Sequence, residues 1–291
     1  MKVLVIGGGG MLGHKLVQVF SRQFDVFTTL RKPLETYARF DIFEPAKTFE
    51  NIDVENISGI DSIFQKIRPD VVINAVGLIK QLPNSANVVE TLTLNSIFPH
   101  RLAQVAAKYS SRLICISTDC VFSGEKGNYT EDDRPDALDL YGMSKNLGEV
   151  RSDGCLTIRT SIVGRELLTR HSLVEWLLGH AGSAVKGYTE AIFSGFTTIA
   201  LAEILAKVIG DHRAMSGVYH VSSDPITKFD LLQMIKSAFG VEVAVEPSDV
   251  VKIDRSLASQ RFREATRIRP ASLPEMVERM AADPTPYKKL R

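Results

Sequence analysis

The chain has 291 residues, with 44% hydrophobic and 24% charged residues and a formal net charge of +1. This length allows one large domain or two modest ones, and the composition is that of an ordinary globular protein. The near-zero charge argues against a nucleic-acid-binding surface or a polybasic membrane anchor, and no apolar run is long enough to span a bilayer. Three cysteines without metal-ligand spacing predict reduced thiols in a cytoplasmic protein, with no bound metal.

The first element is a buried strand at residues 3–6, followed by a glycine-rich turn at residues 7–13 and then a helical pattern. Strand, glycine turn and helix in this order are the context of a dinucleotide-binding fingerprint. Gly7 permits the tight turn, Gly10 lets the backbone approach a pyrophosphate, and Gly13 lets the helix pack closely on the strand. The cofactor-binding residues predicted in this turn are Gly7, Gly10, Met11, Leu12 and Gly13.

A second strand is predicted at residues 24–29. NAD-specific domains usually place an acidic residue near its end to hold the ribose 2′-hydroxyl. Here Arg31 and Lys32 follow the strand, and two cations at that point suit a 2′-phosphate, although they could also be solvated loop charges. We therefore predict NADP(H) as the cofactor, held by Arg31, with NAD(H) as the alternative. Asp41 and Ile42, expected after a third short strand, are predicted to flank the adenine.

A further buried strand begins at residue 71, after a predicted helix at residues 58–67. Four residues at its end are predicted to border the cofactor: Asn74, Ala75, Val76 and Gly77. The long helical pattern at residues 88–109 contains Pro99, which should kink or break it. This alternation of strands and helices predicts an α/β fold with a doubly wound parallel sheet of the Rossmann type, which binds ligands at the carboxyl ends of its strands.

The candidate catalytic residues lie on a strand at residues 113–117 and on the helix that follows it. Thr118 comes at the end of the strand, and Asp139 can cap a helix on which Tyr141 and Lys145 share one face. An ammonium beside a tyrosine favours the phenolate and lowers the tyrosine pKa. Together the three side chains could give a proton to a carbonyl oxygen while a hydride reaches its carbon. The Tyr-x-x-x-Lys spacing alone is weak, so this prediction depends on the dinucleotide fingerprint.

After residue 161 the pattern changes to helices separated by short strands. The predicted helices are residues 173–178, 197–209 and 227–239, and the predicted strands are residues 217–221 and 241–245. We expect a dinucleotide-binding domain at residues 1–161 and a smaller mixed α/β substrate-binding lobe at residues 162–291, between which the chain is free to cross. The lobe contains several arginines that could clamp a diphosphate or lie on solvated faces: Arg255, Arg261, Arg263, Arg267 and Arg269.

Eight motifs, spread over nearly the whole chain, together match the motif set of one protein family. They are Gly7-x-x-Gly10-x-x-Gly13, Asn74-Ala-Val-Gly77, Ser117-Thr-Asp-Cys-Val-Phe122, Tyr129-Thr-Glu-Asp-Asp133, Tyr141-Gly-x-Ser-Lys145, Arg159-Thr-Ser161, Ser194-Gly-Phe-Thr-Thr198 and Gly217-Val-Tyr-His220. Together they resemble the motifs of the extended short-chain dehydrogenase/reductases, and within that group those of the dTDP-4-dehydrorhamnose reductases.

The resemblance implies an NADPH-dependent oxidoreductase of deoxysugar and polysaccharide biosynthesis, which reduces the 4-keto group of a nucleotide-activated 6-deoxyhexose. It implies that Tyr141 donates the proton, that Lys145 lowers the Tyr141 pKa and binds the nicotinamide ribose, and that Thr118 binds the substrate carbonyl. The partner would be the nucleotide-sugar substrate, and a homodimer is one oligomeric state left open. The implied substrate-binding residues are Thr118, Asp119, Cys120, Ser161, Ile162, Phe196 and Arg263.

Two departures from the family pattern keep the sugar open. Cys120 stands where the rhamnose-forming enzymes usually have Tyr, and Ile162 stands where they usually have Trp. The position of Cys120 also resembles that in GDP-fucose synthases, which epimerise a keto sugar before they reduce it. A combined epimerase-reductase that uses Cys120, with its thiol pKa lowered by a cation, and His171 is therefore an alternative. Cys120 could also be a small pocket-lining residue.

A third alternative is a non-catalytic NADP-binding regulatory subunit, because relatives of this fold have taken that role. The intact set of Thr118, Tyr141 and Lys145 argues against this alternative.

Overall fold

The computed structural model describes residues 1–80 and 83–287. Its strands are β1 (Lys2–Ile6), β2 (Asp25–Thr29), β3 (Thr48–Phe49), β4 (Val71–Asn74), β5 (Arg112–Thr118), β6 (Cys155–Thr160), β7 (Ile162–Val163), β8 (Ala184–Phe193), β9 (Phe196–Thr197), β10 (Gly217–His220), β11 (Ile226–Thr227) and β12 (Ala244–Asp254). Its α-helices are α1 (Gly13–Phe20), α2 (Ile57–Ile67), α3 (Val88–Leu92), α4 (Phe98–Lys108), α5 (Leu140–Leu147), α6 (Leu173–Leu178), α7 (Thr198–Asp211), α8 (Lys228–Phe239), α9 (Gln260–Thr266) and α10 (Leu273–Ala281).

A parallel sheet forms the centre of the molecule. Within the described residues it has seven strands in the order β10-β6-β5-β4-β1-β2-β3. One face is covered by apolar residues of α1 and α7, among them Leu16, Phe20 and Leu201. The other face is covered by α2 and α4 through Phe64 and Leu102. The predicted doubly wound Rossmann fold is therefore confirmed, and the strand order reverses between β1 and β4, where such sheets bind ligands.

The structure corrects the position of the third strand. We expected it before residue 41, but residues 34–40 form a 3₁₀ helix that ends at Asp41, and β3 follows at Thr48–Phe49. The backbone of Asp41 is left-handed, with φ of 51°. A strand of two residues has no measurable alternation of apolar and polar side chains, which is why the sequence pattern did not locate it.

The helical region at residues 88–108 is interrupted as predicted. A π-helical turn, Thr93–Ile97, separates α3 from α4, and Pro99 lies in the first turn of α4. Because proline lacks an N–H group, it is well tolerated in the first turn of a helix and poorly tolerated in the interior. The wider turn directs Asn95 and Ser96 into the buried side of this region.

The second part of the chain contributes a smaller sheet, in which β8 lies between β11 and β12. Helices α6, α8 and α10 cover it with an apolar cluster that includes Leu177, Leu231 and Val277. β8 was not predicted, and the strand expected at residues 241–245 starts later, at Ala244, and continues to Asp254. β10 returns to the edge of the large sheet, where it pairs with β6. The boundary at residue 161 stays a prediction. Of the helices in the described residues, none has the length and apolarity to cross a membrane.

A buried network of charged groups joins the central strands to the loops beside them. Arg159 donates two hydrogen bonds to Glu149, at 2.6 and 2.7 Å, and both side chains are 1% exposed. Ser117 adds a third bond to Glu149, at 2.9 Å. On its other side, Arg159 lies 3.2 Å from His220 Nε2, and His220 Nδ1 is 2.9 Å from the carbonyl oxygen of Tyr129. Burial and the Arg159 charge lower the His220 pKa to about 4, so this ring is neutral.

Residues 283–287 pack against α1, directly after the glycine turn. Lys15 is buried and forms an ion pair with buried Asp283, and it also donates a hydrogen bond of 3.0 Å to Thr285. His14 Nδ1 lies 2.8 Å from a backbone carbonyl of the glycine turn, and His14 Nε2 lies 2.8 Å from the Tyr287 hydroxyl. The two ends of the described chain are thus joined at the first helix of the central sheet.

The Glu149–Arg159 pair gives a test of stability. Burial alone would raise the Glu149 pKa, but the hydrogen bonds and charge of Arg159 lower it below the usual range. Arg159→Met should therefore leave a buried carboxylate without its main partner and cost about 3–5 kcal/mol of unfolding free energy, measured by urea denaturation at pH 7. Arg151→Ala is the matched control, because Arg151 also contacts Glu149 but is 61% exposed, so about 0–1 kcal/mol is expected. Equal losses in the two variants would contradict this reading.

Candidate active site

Helix α5 carries Tyr141 and Lys145, and its first turn is fixed by two local contacts. The carboxylate of Asp139 accepts a hydrogen bond of 3.0 Å from the N–H of Gly142, which confirms the predicted N-cap. Gly142 lies so close to the carbonyl oxygen of Cys120 that a Cβ atom there would be 2.2 Å from it. The absence of a side chain therefore lets α5 approach the end of β5.

The end of α5 is held against the π turn at residues 93–97. A Cβ atom on Gly148 would lie 1.9 Å from the carbonyl oxygen of Asn95. Asn95 donates 3.0 and 3.1 Å bonds to the Leu78 carbonyl and the Ser144 hydroxyl, and it accepts a 2.8 Å bond from the Leu78 N–H. Asn95 thereby ties the segment after β4 to α5.

At the carboxyl end of β5, three groups form a hydrogen-bonded chain. Thr118 donates to the carboxylate of Asp119 at 3.0 Å and accepts from the N–H of Cys120 at 3.1 Å. The Thr118 side chain also acts on the Tyr141 phenol and opposes the rise of its pKa. The structure thus brings Tyr141 to Thr118, as the sequence analysis expected.

Lys145 lies one turn further along α5 and is also directed inward. Its ammonium donates a 2.7 Å hydrogen bond to the carbonyl oxygen of Ile116. Burial lowers the Lys145 pKa, and the nearby groups Cys115 and Glu149 act in the opposite direction. A Cβ atom on Gly77 would be 3.9 Å from this ammonium, so the segment after β4 passes beside it.

The Tyr141 pKa moves against the direction that the Tyr-x-x-x-Lys spacing predicts. Burial raises it, the charges of Cys120, Asp119 and Asp139 raise it further, and the hydrogen bond from Thr118 lowers it. The expectation that Lys145 sets a lowered pKa is therefore corrected for the protein alone, because desolvation outweighs the neighbouring cation. At neutral pH Tyr141 is a protonated phenol.

The Cys120 thiol also differs from expectation. Arg255 lies beside it, with Nη1 3.9 Å from the sulfur, and this charge favours the thiolate. Burial and Asp119 outweigh that charge and raise the Cys120 pKa to about 11, so the expected lowering is corrected. His171 is exposed, and its N–H donates to Glu166 at 2.6 Å. Among the described residues, no hydrogen bond or ion pair joins His171 to Cys120 or Tyr141.

A crevice of about 100 Å³ opens where the strand order reverses. Its lining comes from the ends of β1, β2 and β4, from residues 52–55, and from α3 and the π turn: Gly7, Thr29, Arg31, Ile52, Asp53, Val54, Glu55, Val76, Glu90 and Leu94. Gly7 has φ of 90°, and a Cβ atom on it would be 2.9 Å from Val76 Cγ2, so a side chain would fill the crevice. The position, the glycine and the exposed Arg31 fit a dinucleotide with its adenosine end in this crevice.

Asp53 and Val54 line this crevice, whereas Asp41 and Ile42, which were predicted to flank the adenine, are not among its lining residues. Asp41 is exposed at the end of a 3₁₀ helix, and Ile42 packs against apolar clusters. The cause is the position of β3, because residues 52–55 follow that strand and residues 41–42 precede it.

The other predicted cofactor residues differ in whether the side chain or only the backbone is available to the crevice. Gly10, Met11 and Gly13 belong to the turn between β1 and α1, whereas the Leu12 side chain is buried in the core, so only its backbone is available. Asn74 is buried, and its Oδ1 accepts a 3.1 Å hydrogen bond from the N–H of Val76.

Ala75, directly after Asn74, packs against the core. In the segment after β4, the Asn74 side-chain amide therefore holds Val76 in place, and the Ala75 methyl group packs inward.

On the substrate side, the structure separates two kinds of predicted residue. Ser161 and Ile162 are partly exposed at the end of β6 and the start of β7. Phe196 is 1% exposed in the core and pairs with Ile162 across β7 and β9, so its side chain packs in the core, and its contact with substrate stays a prediction. Arg263 is exposed on α9. Among the arginines of this lobe, Arg255 is the one that contacts the site, through Cys120 and through a 2.8 Å bond to the carbonyl oxygen of Phe122.

Sequence reasoning did not select several residues that shape the site. Asn95 holds α5, Lys80 lies over Tyr141, Arg255 reaches Cys120, and Lys228 acts electrostatically on Asp119. One local signal existed for Asn95, a polar residue in an apolar helical segment four positions before Pro99. The others depend on contacts between segments far apart in the chain.

Comparison with known proteins agrees with this geometry. A dTDP-4-dehydrorhamnose reductase of Aggregatibacter actinomycetemcomitans is 27% identical over 236 residues, 77% of this chain and 74% of that protein. The methionine adenosyltransferase 2 subunit beta of Xenopus laevis is 28% identical over 124 residues, 40% of this chain and 36% of that protein.

Solved structures give the same picture. The crystal structure of a hypothetical dTDP-4-dehydrorhamnose reductase from Sulfolobus tokodaii matches with a TM-score of 0.75 and 27% identity, over 91% of this chain and 94% of that chain. A Bacillus anthracis dTDP-4-dehydrorhamnose reductase in complex with NADP has a TM-score of 0.77 and 22% identity, over 96% and 98%. The Bordetella bronchiseptica enzyme WbmG in complex with NAD has a TM-score of 0.78 and 15% identity, over 97% and 93%.

The fold, the relatives and the structural neighbours define the class as NAD(P)-dependent oxidoreductases. Within that class, the chain belongs to the RmlD substrate binding domain family, whose model matches residues 1–280.

The close approach of α5 to Cys120 gives a test of the site. Gly142→Ala places a methyl group 2.2 Å from a backbone oxygen, which cannot move as a flexible side chain would. We expect a loss of about 1–3 kcal/mol of unfolding free energy in urea denaturation. Gly210→Ala, in α7 with open space around the added methyl, is the control and should be neutral or stabilising by up to about 1 kcal/mol. A Gly142→Ala variant as stable as this control would contradict the close approach.

Proposed function

We propose that the protein catalyses NADPH-dependent reduction of the 4-keto group of a nucleotide-activated 6-deoxyhexose. The observation that supports this most directly is the chain of Asp119, Thr118 and Tyr141 at the carboxyl end of β5, with Lys145 one turn away. This group and the dinucleotide crevice lie at the same edge of one parallel sheet. A reductase needs a proton donor beside its hydride carrier, and this arrangement supports both.

The residues proposed to hold the cofactor are those of the glycine turn and the crevice. Gly7 and Val76 leave room for the dinucleotide, and Arg31 is the cation proposed for its 2′-phosphate. NADPH, when bound, supplies the hydride. Asp53 and Glu55 also line the crevice and would accept a hydrogen bond from a ribose hydroxyl, so the proposed preference for NADP(H) depends on Arg31, with NAD(H) as the alternative.

Tyr141 is proposed to give its proton to the carbonyl oxygen as the carbonyl is reduced. Its raised pKa keeps the phenol protonated until that step. The phenolate left behind is a buried anion, and the ammonium of Lys145 is the buried cation on the same helix face that offsets it. Thr118 is proposed to donate its O–H to the same carbonyl oxygen once that proton turns away from Asp119.

For the substrate, the support is electrostatic and steric. Arg255 and Lys228 carry positive charge beside Asp119, which suits the diphosphate of a nucleotide sugar. Cys120 and Ile162 are smaller than the Tyr and Trp of the rhamnose-forming enzymes, so we propose a sugar that differs from dTDP-4-dehydrorhamnose. The homodimer and the cytoplasmic location stay predictions.

Two alternatives have weaker support. An epimerase step would need Cys120 as a thiolate, but its pKa is raised to about 11, and among the described residues no hydrogen bond or ion pair joins His171 to Cys120. A regulatory role is suggested by the partial match to methionine adenosyltransferase 2 subunit beta, but a non-catalytic protein has no need of an oriented Thr118 and Tyr141 pair. Turnover separates this second alternative from the proposed reductase.

The proposed reaction is tested by following NADPH absorbance with 4-keto-6-deoxy nucleotide sugars. The wild-type protein should oxidise NADPH with at least one of them. Tyr141→Phe removes one hydroxyl, so cofactor binding should survive while kcat falls by roughly 10²–10⁴-fold. Tyr109→Phe is the control, since this tyrosine packs on Phe64 away from the site. Near-normal turnover in Tyr141→Phe would assign the proton to another acid.

The cofactor preference is tested by fluorescence titration with NADPH and NADH. If Arg31 binds the 2′-phosphate, the wild-type protein should bind NADPH more tightly. Arg31→Asp should reduce or reverse that preference by about 1.5–3 kcal/mol, the value of a charge-assisted hydrogen bond. Lys32→Asp controls for the general change of charge at this loop and should have the smaller effect. Equal affinity of the wild-type protein for both cofactors would contradict the role of Arg31.

A further inference from the structure

Lys80 lies over the proposed proton donor, although no motif of the sequence included it. Its ammonium is 5.4 Å from the centre of the Tyr141 ring and 2.9 Å from a carboxylate oxygen of Asp139. Asp139 is the N-cap of α5, two residues before Tyr141. The side chains of Lys80 and Asp139 are 36% and 42% exposed, so the pair lies at the mouth of the site.

The backbone around Lys80 is anchored. Leu78, two residues earlier, is hydrogen-bonded to Asn95 through both its N–H and its carbonyl oxygen. The carbonyl oxygen of Lys80 accepts a 3.0 Å hydrogen bond from Ser85. Both backbone groups of Leu78 and the carbonyl oxygen of Lys80 are therefore held by hydrogen bonds.

We propose that Lys80 is a positioning residue for the reduction, which holds Asp139 and places a second positive charge over the ring of Tyr141. This inference rests on the proposed function, because it assigns Lys80 a role in the same proton transfer. Its electrostatic part follows from the charges around the phenol. Asp119, Cys120 and Asp139 all oppose the phenolate. The ammonium of Lys80 offsets the nearest exposed one of these, Asp139, and it also acts on Cys120.

A second lysine in the chain provides a matched comparison. Lys126 also pairs with a carboxylate, Asp133 at 2.6 Å, and also lies over a tyrosine ring, Tyr129 at 5.6 Å. Tyr129 stacks on Phe122 and belongs to the buried network, not to the group around Thr118. If the ion pair and the ring contact of each lysine served only local structure, replacement of Lys80 and replacement of Lys126 would have the same effect on kcat.

The test compares steady-state reduction in Lys80→Met, Lys80→Arg and Lys126→Met. A proton donor without its second cation is a weaker acid, so kcat of Lys80→Met should fall about 3- to 10-fold with little change in KM. Its solvent deuterium isotope effect on kcat should increase, since proton transfer becomes slower. Lys80→Arg should restore most of kcat, and Lys126→Met should match the wild-type protein.

The most discriminating variant changes Asp139, the ion-pair partner of Lys80. Asn is as good an N-cap as Asp, so Asp139→Asn removes the charge and keeps the helix start. In the Lys80→Met background it should recover at least half of the lost activity, because the anion that Lys80 offsets is gone. A structural role predicts the reverse, a further loss. An unchanged kcat in Lys80→Met, an effect on KM alone, or an equal loss in Lys126→Met would overturn the proposal.

A measurement independent of turnover separates this inference from the proposed function. Lys80 favours the thiolate of Cys120, so Lys80→Met should slow alkylation of Cys120 by iodoacetamide about threefold at fixed pH, as followed by peptide mass spectrometry. If no nucleotide sugar is reduced by the wild-type protein, the proposed function fails, and slowed alkylation still shows that the Lys80 charge reaches the site. An unchanged alkylation rate overturns the role of Lys80 whatever the substrate.

Discussion

The position of α5 depends on two places where a backbone carbonyl occupies the space of a missing side chain. At Gly142 the helix touches the carbonyl of Cys120, and at Gly148 it touches the carbonyl of Asn95. Lys145 lies between these two contacts and Tyr141 directly precedes the first, so both side chains belong to a segment that is held at each end. Such contacts tolerate no added atom, because close-packed backbone cannot yield as a long side chain can.

Hydrogen bonds then orient the segments around α5 whose positions are set by this packing. Asn95 uses its amide on both Leu78 and Ser144, so the segment beside Lys145 and the helix that carries Lys145 are held by one side chain. The Glu149–Arg159 pair holds the chain directly after α5 and extends through His220 to the loop at Tyr129. Buried pairs of this kind are weak contributors to net stability, and their value here lies in geometry.

The sequence was sufficient for features that depend on neighbours in the chain. The glycine turn, the Asp139 cap and the helix break before Pro99 each follow from a local conformational rule. The positions of β1, β2, β4 and β5 followed from apolar runs. The two-residue β3 and the charged, Pro247-containing β12 carry no such pattern, and both were misplaced or incomplete.

The residues that form the site were easier to predict from the sequence than the directions of their pKa shifts. Thr118 and Tyr141 were identified by motif and do meet, but the directions of the Tyr141 and Cys120 pKa shifts were wrong. Both are set chiefly by desolvation, a property of the whole fold that spacing on one helix does not contain. The contacts of Arg255 with Cys120 were hidden for a related reason, since 135 positions separate them.

The docking of residues 283–287 on α1 has a consequence for how the protein is made. Lys15 leaves the ribosome before its buried counter-ion Asp283 and its hydrogen-bond partner Thr285, which lies 270 positions later in the chain. A nascent chain that has finished the large sheet still holds a lysine without its anion beside the glycine turn. Vectorial synthesis therefore delays completion of the unit formed by β1 and α1 until residues 283–285 have emerged, and unfinished chains stay distinguishable from the native protein by that uncompensated charge.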